Sequence, residues 1–217
     1  VNSFVEAVKY AIDLCLERPL IRYEISDDPP TTDGERKVIA APALSPAEYE
    51  LLTEKSAAHS IDCLETGMRN HLSGVDVGLT YGDLGLAETG TLVLNCPNEE
   101  LRLATMVCEY HVCVLPKSKI YADGYEAEEQ LRKFMLDAPN YTAFITGPSR
   151  TADIERVLTI GCHGPRELHV LLVENISIMN RYWDEPDEKS AEKVRENWKR
   201  IEQIWRDHPR AINQGPV

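Results

Sequence analysis

Glu88 is the first candidate for chemistry on a small molecule. It stands in Leu86-Ala87-Glu88-Thr89-Gly90-Thr91, between a turn carrying Gly82 and Gly85 and an apolar stretch that reads as a strand. A carboxylate at a strand edge beside Gly90 can approach a ligand closely, because glycine leaves room at the backbone. The hydroxyls of Thr89 and Thr91 can hold either that carboxylate or the ligand. The alternative is a structural carboxylate that accepts backbone N–H bonds within the turn. Asp83, just after Gly82, is placed to orient a cation or a hydroxyl, or to serve as an ordinary turn aspartate.

A second group of candidates lies at 142–173, TAFITGPSRTADIERVLTIGCHGPRELHVLLV. The pattern predicts a strand, then Gly147-Pro148-Ser149-Arg150-Thr151 at the start of a helix over 151–159, then a glycine–histidine turn and another strand. The unpaired N–H groups of a helix start attract an anion. The planar fork of Arg150 suits a carboxylate or phosphate. The same residues also make a well-capped helix, with Ser149 or Thr151 as N-cap and Asp153 and Glu155 competing for its positive end. His163, flanked by glycines, is the best acid–base candidate. His111 and His169 alternate with apolar neighbours and read as hydrogen-bonded core histidines. Cys108, His111, Cys113 and Cys162 or His163 make a poor metal set, because on a strand 111 and 113 share a face that 108 does not. We therefore assign no metal.

These residues need a scaffold, and the chain's patterning indicates one. Its 217 residues suffice for one sizeable core plus an appendage. Apolar spacing predicts a helix over 4–17, a short strand at 20–25, a polar loop at 26–36 and a strand at 37–42. Ser45 and Glu48 form a capping box that opens a helix extending to about 71. Strands follow at 75–80, 91–95, 110–115, 141–146 and 168–173, with helices at 98–105 and 124–136. Strands alternating with helices argue for an α/β sheet with helices on both faces. The consecutive apolar runs FIT and VLLV read as strands covered on both sides. We divide the chain into an N-terminal helix and loop (1–36), an α/β domain (37–175) and a helical extension (176–217). That extension carries all three tryptophans, Trp183, Trp198 and Trp205. Its Ala191, Val194, Trp198, Ile201 and Trp205 form an apolar seam, expected to make a homodimer contact, to dock on its own domain or to meet a heterologous partner.

The net charge of −13 counts against nucleic acid and anionic membrane as partners. Within that acidic background, Arg150, Arg156 and Arg166 concentrate positive charge near the proposed anion site. No apolar run approaches the ~20 residues needed to span a bilayer, and no leader pattern is visible, so the expected location is cytoplasmic. The six cysteines form no C-x-x-C pair and lack iron–sulfur ligand spacing. Most read as small core residues.

Three stretches in order carry a family resemblance: DVGLTYGDLGLAETGTLVL (76–94), VCEYHVCVLP (107–116), and GPSRTADIE (147–155) with G-x-H-G-P (161–165) and LHVLLVEN (168–175). Together they resemble the LUD domain, the family of lactate utilization protein C. The resemblance implies the α/β fold of the NagB/RpiA/CoA transferase-like proteins. It also implies a part in oxidising L-lactate to pyruvate beside partner subunits that carry iron–sulfur clusters. This chain would then be a non-redox component without a cofactor of its own, binding a small carboxylate or other anion between 82–91 and 147–165. Glu88-Thr89-Gly90 is similar to the Glu-Asn-Gly turn of CoA transferases, with threonine in place of asparagine. The rival expectation is therefore a stand-alone CoA-transferase-like or sugar-phosphate-type enzyme with Glu88 as nucleophile or base.

Overall fold

A computed structural model describes residues 1, 3–21, 36–71, 74–136, 141–153, 155–174 and 203. The expected strand at 20–25, most of the loop at 26–36 and the tryptophan-bearing extension fall almost wholly outside these residues.

The first helix, α1 (Phe4–Glu17), forms where the spacing predicts it. The Ser3 hydroxyl caps its start by accepting from the Glu6 N–H at 3.2 Å. Phe4, Ala7, Val8, Ala11, Ile12 and Cys15 recur at three- and four-residue steps and are all buried. The Lys37 ammonium closes its other end by donating to the carbonyls of Cys15 and Arg18. This helix shares one apolar cluster with the central sheet.

That sheet is parallel and five-stranded, in the order β2 (Asp62–Leu64), β1 (Val38–Ala40), β3 (Val75–Tyr81), β6 (Cys108–Pro116), β11 (Glu167–Val173). One face, built by Ile39, Val77, Leu79, Tyr110, Val112 and Val114, is covered by α1 and by α2 (Pro46–Ala57). The other face meets α3 (Glu99–Val107) around Val38, Ala40, Val75 and Cys108. Where α3 ends its cover, a second sheet takes over instead of another helix. It has four strands, β7 (Ile120–Tyr121), β4 (Leu84–Leu86), β5 (Thr91–Cys96) and β8 (Tyr141–Ile145), in that order. Its Leu92 and Leu94 pack against Cys113 and Leu115 of β6, and α4 (Glu128–Leu136) closes its outer side near Leu84 and Val93.

The capping box at the start of α2 is as expected. The Glu48 N–H donates to Ser45 Oγ at 3.1 Å, and the Ser45 N–H donates to Glu48 Oε2 at 2.7 Å. The Tyr81 hydroxyl donates to the other carboxylate oxygen at 2.7 Å, so the box also ties α2 to the end of β3. Ser45→Ala is expected to cost about 1 kcal/mol of stability, read as a lower urea midpoint at unchanged slope. An unchanged midpoint would show that Glu48 and Tyr81 hold the turn without the hydroxyl.

Three expectations need correction. The helix from Ser45 ends at Ala57, not near 71. Ser60 turns the chain with φ 55°, and Asp62–Leu64 pairs with β1 through bonds such as Asp62 N–H to Lys37 O at 2.8 Å. Pairing with a strand more than twenty residues earlier in the chain overrides the local helix preference. The helix over 151–159 is absent; β9 (Arg150–Thr151) and β10 (Thr159–Ile160) form a small antiparallel hairpin there. Glu155 and Arg156 have φ of 54° and 58°, incompatible with a right-handed helix. Val157, Leu158 and Ile160 are exposed, so among the described residues no apolar face is buried to stabilise so short a helix. Finally, among the described residues β8 and β11 are edge strands, not central ones. Phe144 and Val170 lie exposed on them, so their apolar runs do not report cover on both faces.

Candidate functional site

Strand pairing brings the two candidate stretches together at one end of the second sheet. Leu92 of β5 lies opposite Ile145 of β8, which sets Thr91 beside Thr146. Their hydroxyl oxygens are 2.7 Å apart, and Thr89 Oγ1 lies 2.7 Å from Thr91 Oγ1. Three hydroxyls thus stand in a row. Gly90 bends the chain between Thr89 and Thr91 with φ 65°, and Gly147 bends it after Thr146 with φ 81°. Only glycine takes up such angles without strain. Arg150 folds back so that its Nη2 lies 3.2 Å from where a Gly147 side chain would begin. The guanidinium of the second stretch thus lies against Gly147, the residue that follows Thr146.

Glu88 sits on the rim of the same end. Its N–H donates to Ala122 O at 2.9 Å, and its side chain is exposed. The carboxylate makes no hydrogen bond among the described residues, so it does not brace its own turn.

The remaining candidates play other parts. Ser149 organises the hairpin loop. Its N–H donates to Pro165 O at 2.8 Å, its carbonyl accepts from the Gly161 N–H at 2.9 Å, and its hydroxyl accepts from the His163 N–H at 3.1 Å. His163 takes part through that backbone group, while its residue as a whole is exposed. The Thr151 hydroxyl accepts a long bond of 3.4 Å from the Asp153 N–H. With the helix absent, residues 147–151 offer a turn and a guanidinium rather than a helix N-terminus. Of the three arginines, Arg166 is neutralised by the buried Glu109 carboxylate, with Nε to Oε2 at 2.8 Å, and its N–H donates to Glu109 O at 2.8 Å. This pair pins the loop to the start of β6.

Asp83 lies at the opposite end of β5, about 13 Å along the strand from Thr91 at the usual rise. Its Oδ2 accepts from the Asn95 N–H at 2.6 Å, and its own N–H donates to Val93 O at 3.0 Å. Burial pushes its carboxyl up to about 6, against smaller downward pulls from the Asn95 bond and Lys119. A raised carboxyl pKa means that the folded state holds the proton more tightly. The associated stabilisation is full below the ordinary value of 3.8 and is lost as pH rises through about 6. Asp83→Asn keeps the acceptor and removes the titration. It is expected to melt above the wild type at pH 7.5 and level with it at pH 3.5. Parallel melting curves at both pH values would contradict this.

Sequence reasoning did not single out Thr146 or Glu109. Thr146 was legible in part, as a hydroxyl ending a strand immediately before Gly147. Glu109 offered no signal beyond being a charge among apolar residues. His169 is hydrogen-bonded as expected, with Nδ1 2.7 Å from the Tyr10 hydroxyl and Nε2 2.9 Å from Glu167 Oε2. His111 is fully buried, with Nε2 2.8 Å from Thr80 Oγ1. All six cysteines are free thiols, and burial pushes those of Cys108 and Cys113 up to about 12. Among the described residues no group of three or more His, Cys, Asp or Glu is placed to hold a metal ion, and no helix is long and apolar enough to cross a membrane.

Comparison with known proteins matches residues 1–173 to the LUD domain model. An uncharacterized protein of Neisseria meningitidis serogroup B is 34% identical over 110 residues, 51% of this chain and 47% of that protein. Lactate utilization protein C of Shouchella clausii is 35% identical over 102 residues, 46% of this chain and 44% of its own length. The matched part thus spans about half the length of these curated relatives. The protein of the same name from Oceanobacillus iheyensis is 26% identical over 184 residues, 80% of this chain and 74% of its own. A solved DUF162 family protein of Deinococcus radiodurans superposes with a TM-score of 0.41 at 17% identity, over 80% of this chain and 99% of that one.

Proposed function

Because the chain belongs to the LUD domain family, we propose that it is a non-redox component of an L-lactate utilization system and binds a small carboxylate at the end of its second sheet. The observation that carries the ligand reading is the hydroxyl row Thr89–Thr91–Thr146, with Arg150 folded against the Gly147 that follows it. A guanidinium offers a carboxylate two parallel N–H donors. Hydroxyls donate and accept with equal ease, which suits the hydroxyl of lactate and the carbonyl of pyruvate alike. The part in lactate utilization rests on family membership and on the relatives named lactate utilization protein C.

Electron transfer would belong to iron–sulfur partner subunits, with this chain positioning the ligand. We read the fold as the NagB/RpiA/CoA transferase-like kind and the protein as cytoplasmic. We assign residues 176–217 to docking, most simply between two copies of the chain. Ser149 and His163 serve the site by shaping the loop that carries Arg150. A second reading is favoured by one observation: the Glu88 carboxylate is exposed and makes no hydrogen bond among the described residues, beside the open Gly90. It would make Glu88 the nucleophile or base of an independent enzyme.

Anaerobic affinity purification of the full chain from its native cells, read by mass spectrometry, separates the two. Stoichiometric recovery of iron–sulfur proteins, with loss of growth on L-lactate when the gene is deleted, is the expected result. Recovery of the chain alone, with unimpaired growth on L-lactate, would overturn it and direct work to acyl-CoA substrates and a covalent adduct on Glu88.

A further inference from the structure

His111 holds a polar atom that the fold leaves without a partner. It lies in the middle of β6, beside Gly78 of β3 and Leu168 of β11. Its residue is 0% exposed. Nε2 is engaged by the Thr80 hydroxyl at 2.8 Å, while Nδ1 has no hydrogen-bond partner among the described residues. Leaving a buried imidazole nitrogen unpaired is costly, so such an atom calls for an explanation.

The side chain has a definite direction. Alternation along β6 puts Glu109, His111, Cys113 and Leu115 on one face. Cys113 and Leu115 on that face pack against the second sheet. His111 therefore points into the layer between the two sheets. Glu109, which anchors the loop of Arg150 through Arg166, lies about 7 Å back along the same face at the usual strand rise. Burial, with a smaller push in the same direction from His169 on the neighbouring strand, holds the imidazole down to about 4. It is neutral at physiological pH, with one N–H donor and one lone pair shared between its two nitrogens.

We propose that His111, oriented by Thr80, is a ligand-contacting residue whose Nδ1 meets the uncharged α-oxygen, hydroxyl or carbonyl, of a small hydroxy or keto acid. An uncharged oxygen fits a neutral imidazole in a fully buried setting, where an unpaired charge would be costly. The neutral ring suits both oxygen types, because exchanging its tautomer turns Nδ1 from donor to acceptor. The choice of hydroxy or keto acid rests on the function proposed above; the uncharged-oxygen seat does not.

The test uses the full chain labelled with nitrogen-15, with the His111 resonances identified through His111→Phe. Long-range proton–nitrogen spectra are recorded during titration with L-lactate, pyruvate and the uncharged analogues lactamide and hydroxyacetone. The expected result is a saturable shift of Nδ1 with the acids and a weaker one with the analogues. His111→Phe should melt at or above the wild-type temperature and bind the acids about ten-fold more weakly, the worth of one such bond. Should it not fold, Thr80→Val gives the second measurement, since it leaves the ring and changes its tautomer balance. Acids that bind by calorimetry while Nδ1 stays unmoved would overturn the His111 contact and leave the Arg150 site standing. A shift with the analogues, but no binding of the acids that depends on Arg150, would do the reverse. A nitrogen that meets only water, unmoved by all four probes, would also overturn the proposal.

Discussion

Gly78→Val is expected to leave little folded protein. Gly78 lies in β3 at the centre of the sheet, directly beneath α3. A side chain starting there would stand 2.5 Å from the Ala104 carbonyl oxygen and 2.9 Å from Cys108 Sγ. The first obstacle is backbone, so no rotamer change relieves it; α3 must lift from the sheet. Lifting it would break the cluster of Val38, Ala40, Val75, Ala104 and Cys108. Overpacking a close-packed core costs about 1–3 kcal/mol and more where backbone must move. We expect valine to exceed the upper figure, a large part of a typical total of about 5–15 kcal/mol. Alanine should show a smaller loss in the same direction. Urea denaturation measures both. Gly90→Ala is the contrasting case, because nothing lies within 4 Å and only the φ of 65° is strained. Its cost should be about 1–2 kcal/mol. A wild-type midpoint for Gly78→Val would mean that α3 and β3 are not packed as described.

Arg150→Ala is expected to carry the largest functional effect. Removing a charged donor from a carboxylate should weaken binding about 10–100-fold, measured by calorimetry with L-lactate and with pyruvate. Because Arg150 is exposed, the melting temperature should stay close to that of the wild type. Thr91→Val should give a smaller loss, through interruption of the hydroxyl row at its middle member. Arg150→Lys should recover only part of the affinity, since an ammonium cannot reproduce the two-pronged contact. Equal affinity in wild type and Arg150→Ala would remove the guanidinium from the site. Lactate use by cells carrying Arg150→Ala and Glu88→Gln would then indicate an adaptor role, in which the end of the second sheet binds nothing needed for growth.

The features legible in the chain are those that depend on near neighbours in sequence. The Ser45–Glu48 capping box uses atoms three residues apart, and the apolar face of α1 is set by a repeat of three and four. Strands 75–80, 91–95, 110–115 and 168–173 also appear at the predicted places, as β3, β5, β6 and β11. Misreadings arise where a distant partner decides. ADIERVLTI has helical composition, but its described apolar residues Val157, Leu158 and Ile160 lie exposed, and its end pairs with Arg150–Thr151 as a hairpin. Residues 62–64 follow good helix formers, yet they complete a sheet with a strand from before α2. FIT and VLLV are apolar at successive positions, but composition does not distinguish an edge from a centre.

The sequence by itself determined the α/β class, the family and the residue types of the candidate site, because periodicity, capping and ordered motifs are properties of neighbouring residues. Only the tertiary structure decided which of those residues meet. Pairing of β5 with β8 brings Thr91 to Thr146, 55 positions further along the chain, while Asp83 is carried to the far end of the same strand. Burial, likewise, is settled by the second sheet laid over β6. That layer turns His111 from one histidine in an apolar run into a neutral ring with a nitrogen in need of a partner. Hydrogen-bond register and exclusion of water are collective properties of the packed layers, and no short stretch of chain contains them.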